Sequence, residues 1–364
     1  MAPKYLEVEG ILRNRVRELA VGTKLASVDA LHKELGVSQG TIARAIRTLV
    51  SEGLLEHRLN CGAFVSRPGR ASRNIAVLWP DIVEQIAMEP LSNHPYNAAI
   101  LNGIQAEAEA QGRTLIIKTA QSGVESLFSN DGGRLAGVIL LFSYDHEYAE
   151  ACRAQSIPAV LVDPLGRRQG MPFVTSDHCA DMRDAVKQLI AMGHRRIAHI
   201  SVLHHHRLPR LPENAPVANF VRDERIRGYR EALTHAGLEE QFHVHYAPSG
   251  EWTPADNRAL VEMLRQRQTT ACCCFNDQIA ARVMRACYNA RIHIPGDLSI
   301  IGHDDLALAA NTTPPLSTIH VPLDEMGRSA LRLLDEIIES DTLDGHGVIL
   351  PSTLVLRESI ASPR

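Results

Sequence analysis

Long apolar runs are missing from this chain of 364 residues, and none approaches the roughly 18 uninterrupted apolar residues that a membrane-spanning helix needs. The first residues, Met1 to Glu9, also lack an apolar segment and already carry acidic side chains, which disfavours a secretory leader. Both absences argue against a membrane protein or an exported protein. We therefore expect a cytoplasmic protein with no membrane partner.

The spacing of a metal site is also missing. The seven cysteines form no paired motif, and Cys272–Cys274 fall inside an apolar run, where neighbouring side chains point to opposite faces of a strand. Such cysteines suit a reducing compartment rather than a disulfide framework. The consecutive histidines His204–His206 lie in a proline-rich stretch and lack the spacing of a rigid ligand set. We expect no metal.

Recognisable catalytic motifs are absent as well, since the chain has no GxSxG elbow, no HExxH pair and no phosphate-binding P-loop. With 45% apolar and 22% charged residues, the composition is that of a globular protein long enough for two or three domains. We expect no enzymatic activity and no cofactor.

Charge is distributed unevenly along the chain. Residues 1–73 carry a net charge of +5 and residues 74–364 carry −9, so that the whole chain has −4. A basic first part on an acidic body indicates that only the first part meets a polyanion.

The first seventy residues show three helical patterns and a hairpin pattern. Apolar residues at helical spacing predict a first amphipathic helix, and they are Leu6, Ile11, Leu12, Val16 and Leu19. Ser27 is expected to cap a second helix from Val28 to Leu35, which Gly36 ends. Ser38 is expected to cap a third helix that ends at Gly53 and whose apolar stripe is Ile42, Ala45, Ile46, Leu49 and Val50.

Two short strands, residues 54–58 and 63–65, follow the third helix and are joined by Leu59-Asn-Cys-Gly62. Asn60 and Gly62 tolerate the positive φ of a tight turn. The whole pattern predicts a winged helix-turn-helix, in which the first turns of the third helix enter the major groove. The candidate DNA-binding residues are Ser27, Ser38, Gln39, Gly40, Thr41, Arg44, Arg58, Asn60 and Gly62.

Arg44 either contacts guanine in a bidentate manner or neutralises a phosphate, and the sequence leaves both open. Arg58 at the wing, with Arg67, Arg70 and Arg73 in the linker that follows, adds electrostatic attraction to DNA. The alternative is a winged-helix module used for protein contact.

The segment from Leu35 to Leu55, with the wing Cys61-Gly-Ala-Phe-Val65, resembles the GntR-type winged helix. Two positions depart from that family, which usually has arginine where this chain has Gln39 and Ala43. The resemblance therefore implies DNA binding through an altered set of base-reading side chains.

After residue 73, strands that are almost continuously apolar alternate with helices, which is typical of parallel sheets covered on both faces. We predict an α/β fold with a winged helix-turn-helix followed by a two-lobed, doubly wound domain. The expected division is residues 1–66 for the head, 67–73 for a basic linker and 74–364 for the two-lobed domain. Ligands of such sheets bind beyond the carboxyl ends of strands, where Asp163, Asn276 and Asp304 fall.

Residues 74–364 resemble the effector domain of LacI/GalR-type repressors, which has the periplasmic-binding-protein fold. The matching stretches begin at Ala191, Arg225, Phe275, Ile294, Pro314 and Leu356. The resemblance places the effector contacts on Asp163, Arg225, Trp252, Asn276 and Asp304, and adds Tyr96 and His94, before the first helix of the two-lobed domain, as secondary candidates.

Three features depart from the LacI/GalR pattern. The usual tyrosine before the aspartate pair is His303, and Val321 and Leu323 stand where some relatives have polar or aromatic contacts. The stretch from His204 to Pro216 looks like an insertion near the cleft rim. The pairing of a GntR-type head with a LacI/GalR-type body resembles the architecture of arabinose repressors.

Together, these patterns predict a ligand-responsive transcription regulator, a repressor of carbohydrate-utilisation genes that binds operator DNA as a homodimer and responds to a monosaccharide. Carboxylates and amides bind vicinal hydroxyls, and an aromatic face stacks on a sugar ring, which is the reason for favouring a sugar. The alternatives are a purine or amino-acid effector, or a sugar-binding module without a transcriptional role.

Overall fold

The computed structural model describes residues 4–20, 22–51, 53–58, 61–66, 72–79, 95–119, 124, 127–128, 135–141, 146–164, 170–203, 220–248, 252–340 and 346–364. The helices are α1 (Lys4–Glu18), α2 (Val28–Leu35), α3 (Gln39–Ser51), α4 (Pro95–Gln111), α5 (His146–Ala154), α6 (His178–Ala191), α7 (Phe220–His235), α8 (Pro254–Gln266), α9 (Asp277–Asn289), α10 (Ala307–Ala310) and α11 (Leu323–Ser340). The strands are β1 (Leu55–Arg58), β2 (Gly62–Val65), β3 (Asn74–Trp79), β4 (Thr114–Thr119), β5 (Leu135–Leu141), β6 (Ala159–Val162), β7 (Phe173–Ser176), β8 (Ile197–Leu203), β9 (Val244–Pro248), β10 (Ala271–Cys274), β11 (Ser299–Asp304), β12 (Ser317–His320), β13 (Gly347–Leu350) and β14 (Thr353–Val355).

The first part of the chain folds as three helices and an antiparallel hairpin around a core of its own. Ser27 Oγ accepts a hydrogen bond from the Ala30 amide at the start of α2, and Gly36 ends that helix in the left-handed region at φ 65°. The hairpin pairs β1 with β2, and Lys24 forms a bridge to Phe64. The winged helix-turn-helix predicted from the sequence is therefore confirmed.

The α1 stripe predicted from the sequence needs a correction. Leu12 and Val16 are buried, but Leu6 is 46% and Ile11 41% exposed, whereas Val8, which the prediction left out, is buried. The face of α1 that packs on α3 thus runs through Val8, Leu12 and Val16, at the four-residue spacing that aligns side chains on one helix face.

Two six-stranded sheets form the rest of the molecule. The first has the order β4-β3-β5-β6-β7-β13 and is parallel throughout. The second has the order β9-β8-β10-β11-β12-β14, with only the edge strand β14 antiparallel. Cys273 packs in one hydrophobic cluster, and Cys272 and Cys274 pack in another, which confirms that neighbouring cysteines of β10 face opposite sides of the sheet.

The chain passes between the two sheets three times: from β7 into α6, from β12 into α11, and from β13 into β14. Helix α11 returns to the first sheet and packs on α4, where a Cβ added at Gly103 would lie 1.9 Å from the Asp324 carbonyl oxygen. Three crossing segments of the chain therefore join the two lobes, and one end of each sheet faces the same region of the molecule. No helix among the residues described here combines the length and the apolar character needed to cross a membrane.

The position expected for Asp304 needs a correction. Asp304 does not follow its strand, because β11 continues through His303 and Asp304, and these two residues are the last of the strand. Helix α7 starts at Phe220, which places Arg225 in its second turn. The residues from His204 to Pro216 lie outside the described residues.

Candidate functional site

The outer face of α3 presents polar side chains that are fixed by local hydrogen bonds. Ser38 Oγ accepts from the Thr41 amide at 3.2 Å and caps the helix, as predicted. Gln39 is exposed and donates through Nε2 to Asp29 on α2, at 2.6 Å. Gly40 is exposed beside it. The first turn of α3 thus has a polar, uncrowded surface above the buried stripe.

Arg44 lies on the exposed face of α3, one turn further on, with its guanidinium carbon 3.9 Å from the centroid of the Tyr5 ring. This is a cation–π contact between α3 and the first turn of α1. In the hairpin, Arg58 lies over the Phe64 ring at 4.4 Å and donates to Glu56 at 2.7 Å. Gly62 has φ 106°, the left-handed backbone that the turn was predicted to need. Asn60, Arg67 and Arg70 lie outside the described residues.

A second set of polar residues meets where the two sheets approach each other. Asp163, directly after β6, accepts hydrogen bonds from Tyr96 Oη at 2.9 Å and from Thr175 Oγ1 at 2.8 Å. Nε2 of His178, the first residue of α6, lies 2.8 Å from the same carboxylate. These contacts join α4, β6 and β7 to the start of the helix that enters the second lobe.

From the second lobe, Arg225 reaches the same region. It is 2% exposed, donates through Nη1 to the Phe275 carbonyl, and lies with its Nη2 3.5 Å from both Asp304 Oδ1 and His178 Nδ1. The Nε of Arg225 is buried and has no hydrogen-bond partner in the part of the chain that the structure describes. One edge of the guanidinium is therefore left for another acceptor.

His303 lies beside Asp304 and completes the group. Its Nδ1 is 2.9 Å from Asp304 Oδ1, and its Nε2 lies 3.5 Å from Asp181 Oδ2 without forming a hydrogen bond. Ser352, in the third crossover, donates to Asp181 at 3.0 Å. The polar group therefore extends from the first lobe to the segments that join the two lobes.

Unusual backbone conformations occur at this place. Asp163 has φ 45°, Asp304 φ 104° and Asp305 φ 56°, all in the left-handed region that side-chain-bearing residues seldom adopt. Backbone strain of this kind concentrates at functional sites and persists only where the surroundings enforce it. It supports a functional role for these strand ends.

The electrostatics of the group are set by burial and by pairing. Burial alone raises the pKa of Asp163, but His178, Thr175 and Arg225 outweigh it and hold the pKa well below its ordinary value. Burial and Arg225 lower the pKa of His303, yet Asp181 and Asp304 outweigh them and raise it. Burial and the nearby charge of Asp304 raise the pKa of Asp277 to about 7.

Four of the six predicted effector residues, Tyr96, Asp163, Arg225 and Asp304, are thus brought into one polar group. Asn276 instead caps α9, accepting from the Ile279 amide at 2.9 Å. Trp252 packs against the hydrophobic cluster of the second lobe and donates to the Pro248 carbonyl at 2.9 Å. His94 lies outside the described residues.

Sequence reasoning missed His178, Thr175 and Asp181. Thr175 lies on β7, and His178 and Asp181 lie on the first turn of α6. The apolar pattern did not reveal β7, because Phe173–Ser176 is short and half polar. With that strand unpredicted, no pattern in the sequence marked His178 as a strand-end polar residue.

Comparisons with known proteins show what the two parts of the chain are similar to. The family described as bacterial regulatory proteins of the gntR family matches residues 4–65, and the periplasmic binding protein-like domain matches residues 186–360. The chain is 27% identical over 346 residues to the HTH-type transcriptional regulator CelR of Thermobifida fusca, covering 89% of this chain and 95% of the relative. It is 28% identical over 357 residues to the regulator MalR of Streptomyces coelicolor, covering 93% and 97%.

A solved structure described as a transcriptional regulator CelR-cellobiose complex superposes with a TM-score of 0.64 at 23% identity, and the match covers 92% of this chain and 100% of that one. At this identity the likeness concerns the fold. The winged helix, the two-lobed body and these relatives define the class of the protein, a DNA-binding transcription regulator. Within that class, the chain joins a GntR-type helix-turn-helix domain at residues 4–65 to a periplasmic-binding-protein-like domain matched at residues 186–360.

Proposed function

We propose that the protein is a repressor whose hold on operator DNA is controlled by a small sugar bound between its two lobes. The observation that carries this proposal is the meeting of Tyr96, Asp163, Arg225 and Asp304 at the carboxyl ends of strands from both sheets. A ligand that contacts both lobes binds the closed and open arrangements unequally, and only such a difference can shift an equilibrium.

The chemistry of the group favours a polyhydroxylated effector. Asp163 and Asp304 supply carboxylate oxygens that accept from hydroxyls, and the unpartnered Nε of Arg225 supplies a donor. Paired acceptors and donors of this kind recognise vicinal hydroxyl groups. Trp252 and Asn276 enter the proposal only as residues of the second lobe near its strand ends, because their described contacts are structural.

On the DNA side, we assign the major-groove contacts to Gln39, Gly40, Thr41 and Arg44 of α3. Ser27 and Ser38 orient the helix ends, and Arg58, Asn60 and Gly62 belong to the wing. The exposure of Gln39, Gly40 and Arg44 and the polar first turn of α3 support this assignment. Since the target is chromosomal DNA, we place the protein in the cytoplasm and assign it no enzymatic role.

A homodimer follows from the size of one head, because a single winged helix contacts few phosphates and tight specific binding needs more. Two heads suit half-sites separated by about 34–36 Å or a multiple of it. Sedimentation of the protein with and without operator DNA tests this point, and a monomer in both conditions contradicts it.

The proposed function is tested by operator binding across a panel of pentoses, hexoses, disaccharides and their phosphates. The operator is a duplex selected by the protein from a random library, and affinity is measured by fluorescence anisotropy at fixed salt. We expect one sugar to change operator affinity by a factor of about 5–150, the usual range of coupling. A response to a purine or an amino acid only, or to no compound, contradicts the sugar assignment.

A further inference from the structure

We infer that His178, Asp181 and His303 form a binding site for a divalent transition-metal ion, with Zn²⁺ as the best fit, at the junction of the two lobes. One ligand atom from each of these buried residues lies within 4.8 Å of the other two. Two imidazoles and a carboxylate are a common ligand set for such ions. The inference goes beyond the proposed function and revises the expectation from sequence that the chain holds no metal.

The hydrogen bonds of His178 and His303 determine which ring nitrogen of each is available to bind a metal ion. A carboxylate only accepts, so His178 Nε2 donates to Asp163 at 2.8 Å and His303 Nδ1 donates to Asp304 at 2.9 Å. In a neutral ring the other nitrogen then carries a lone pair. Metal-bound histidines have this arrangement, with a carboxylate on the opposite ring nitrogen that fixes both tautomer and ring orientation.

The two remaining nitrogens have only poor partners among the described residues. His303 Nε2 is fully buried and makes no hydrogen bond to any of them, although it lies 3.5 Å from Asp181 Oδ2. His178 Nδ1 has only long contacts, to Ser176 Oγ at 3.4 Å and to Arg225 Nη2 at 3.5 Å. Buried polar atoms normally find partners, and an unpaired atom here points to a ligand.

The spacing suits zinc. Ligand atoms about 2.0–2.1 Å from a tetrahedral Zn²⁺ lie roughly 3.4 Å apart, close to the distance between His303 Nε2 and Asp181 Oδ2. Ser352 holds the Asp181 carboxylate from the third crossover. Three protein ligands would leave one position of a tetrahedral ion open.

Charge balance is compatible with a bound ion. In the metal-bound form the proton that Asp181 and Asp304 favour on His303 is released and both imidazoles are neutral, so Asp163, Asp181 and Asp304 place three negative charges in a buried region where Arg225 supplies one positive charge. Uncompensated charge is costly in such surroundings. A divalent cation restores neutrality. The Arg225 contact that the ion would displace is the 3.5 Å approach to His178, while the hydrogen bond to the Phe275 carbonyl remains.

The test uses full-length protein stripped with a chelator and dialysed against ZnCl₂, with metal measured per chain and affinity obtained by competition with a chromophoric chelator. We expect one Zn²⁺ per chain, a higher thermal unfolding midpoint with Zn²⁺, and visible absorption of a tetrahedral type when Co²⁺ replaces it. Neither effector nor operator is present, so the result is independent of the proposed function.

Two variants remove ligands: Asp181→Asn keeps the size of the side chain, and His303→Tyr introduces the larger aromatic residue usual in LacI/GalR-type chains. We expect both to lose stoichiometric Zn²⁺, and Asp304→Asn to weaken binding by about 10–100-fold. The control replaces all three histidines of His204–His206 by serine and keeps the site. No stoichiometric metal on the wild-type protein, full binding by either folded ligand variant, or loss in the triple-serine control overturns the inference.

Discussion

The contact between Tyr5 and Arg44 gives a prediction about the DNA-binding head. The guanidinium of Arg44 lies 3.9 Å from the centroid of the Tyr5 ring, so α1 holds an exposed cation of the recognition helix in one direction. A cation–π pair at an exposed site contributes about 0.5–1 kcal/mol. Because the cation–π contact with Tyr5 orients Arg44 toward DNA, Tyr5→Leu should weaken operator binding by a factor of about 2–5.

The matched variant is Tyr5→Phe, which keeps a ring under the guanidinium and should bind within about twofold of wild type. Arg44→Ala should cost about 1–3 kcal/mol if Arg44 reads a base, or lower the salt slope by about one if it contacts phosphate. The double variant Tyr5→Leu/Arg44→Ala should bind no more weakly than Arg44→Ala alone, because the ring then has nothing to orient.

Affinity is measured by anisotropy with the selected operator at several salt concentrations, and circular dichroism verifies folding of each variant. Effects of the two substitutions that simply add would refute the reasoning. An unchanged affinity of Tyr5→Leu, beside a clear loss for Arg44→Ala, would refute it equally.

Two further predictions concern stability. Burial and Asp304 raise the pKa of Asp277 to about 7, so the folded protein keeps a proton on Asp277 that the unfolded chain releases near the ordinary pKa of 3.8. The stabilising contribution of this proton is fully present below pH 3.8 and is lost as the pH rises toward 7. Wild type should lose on the order of 2 kcal/mol in free energy of unfolding between pH 5 and 7 through Asp277, and Asp277→Asn should not show this loss. The unfolding midpoint of Asp277→Asn should therefore depend less on pH than that of wild type, and parallel curves for the two proteins would contradict the reasoning. Gly103→Ala should lower the unfolding midpoint, because its Cβ would lie 1.9 Å from the Asp324 carbonyl oxygen, whereas Gly10→Ala on the open side of α1 should leave it unchanged or raise it slightly. Equal midpoints for these two alanine variants would contradict the close packing of α4 on α11.

Local chemistry made much of the head predictable from sequence. Ser27, Gly36 and Ser38 act within a few residues of themselves, so their capping roles follow from residue type and position. The α1 stripe was partly wrong, since Leu6 and Ile11 fit a helical period but face away from α3. Which of several possible stripes is buried depends on the partner helix, and periodicity does not report that. The boundaries expected at residues 66 and 74 stay a prediction.

The candidate site was predictable only in part. Asp163 and Asp304 stand where parallel strands end, and this rule placed them near each other although 141 positions separate them. His178 and Asp181 depend on the first crossover, which brings the start of α6 under Asp163. A contact set by the course of the chain between two sheets leaves no pattern in either segment.

The central claim is that a sugar bound between the lobes controls operator binding, and a pair of neighbouring aspartates tests it most directly. Asp304 faces Arg225 and His303, whereas Asp305 pairs outside the group with Arg357 at 2.6 Å and with His320 at 3.0 Å. Asn keeps the size of both side chains and tolerates their positive φ. The measurement is operator affinity of wild type, Asp304→Asn and Asp305→Asn with and without the sugar to which wild type responds.

We expect Asp304→Asn to bind operator and to lose at least about tenfold in sensitivity to the sugar, because a buried donor and the bound hydroxyls lose their charged acceptor, while Asp305→Asn responds like wild type. An undiminished response of Asp304→Asn, or an equal loss in both variants, would contradict the placement of the effector between the lobes.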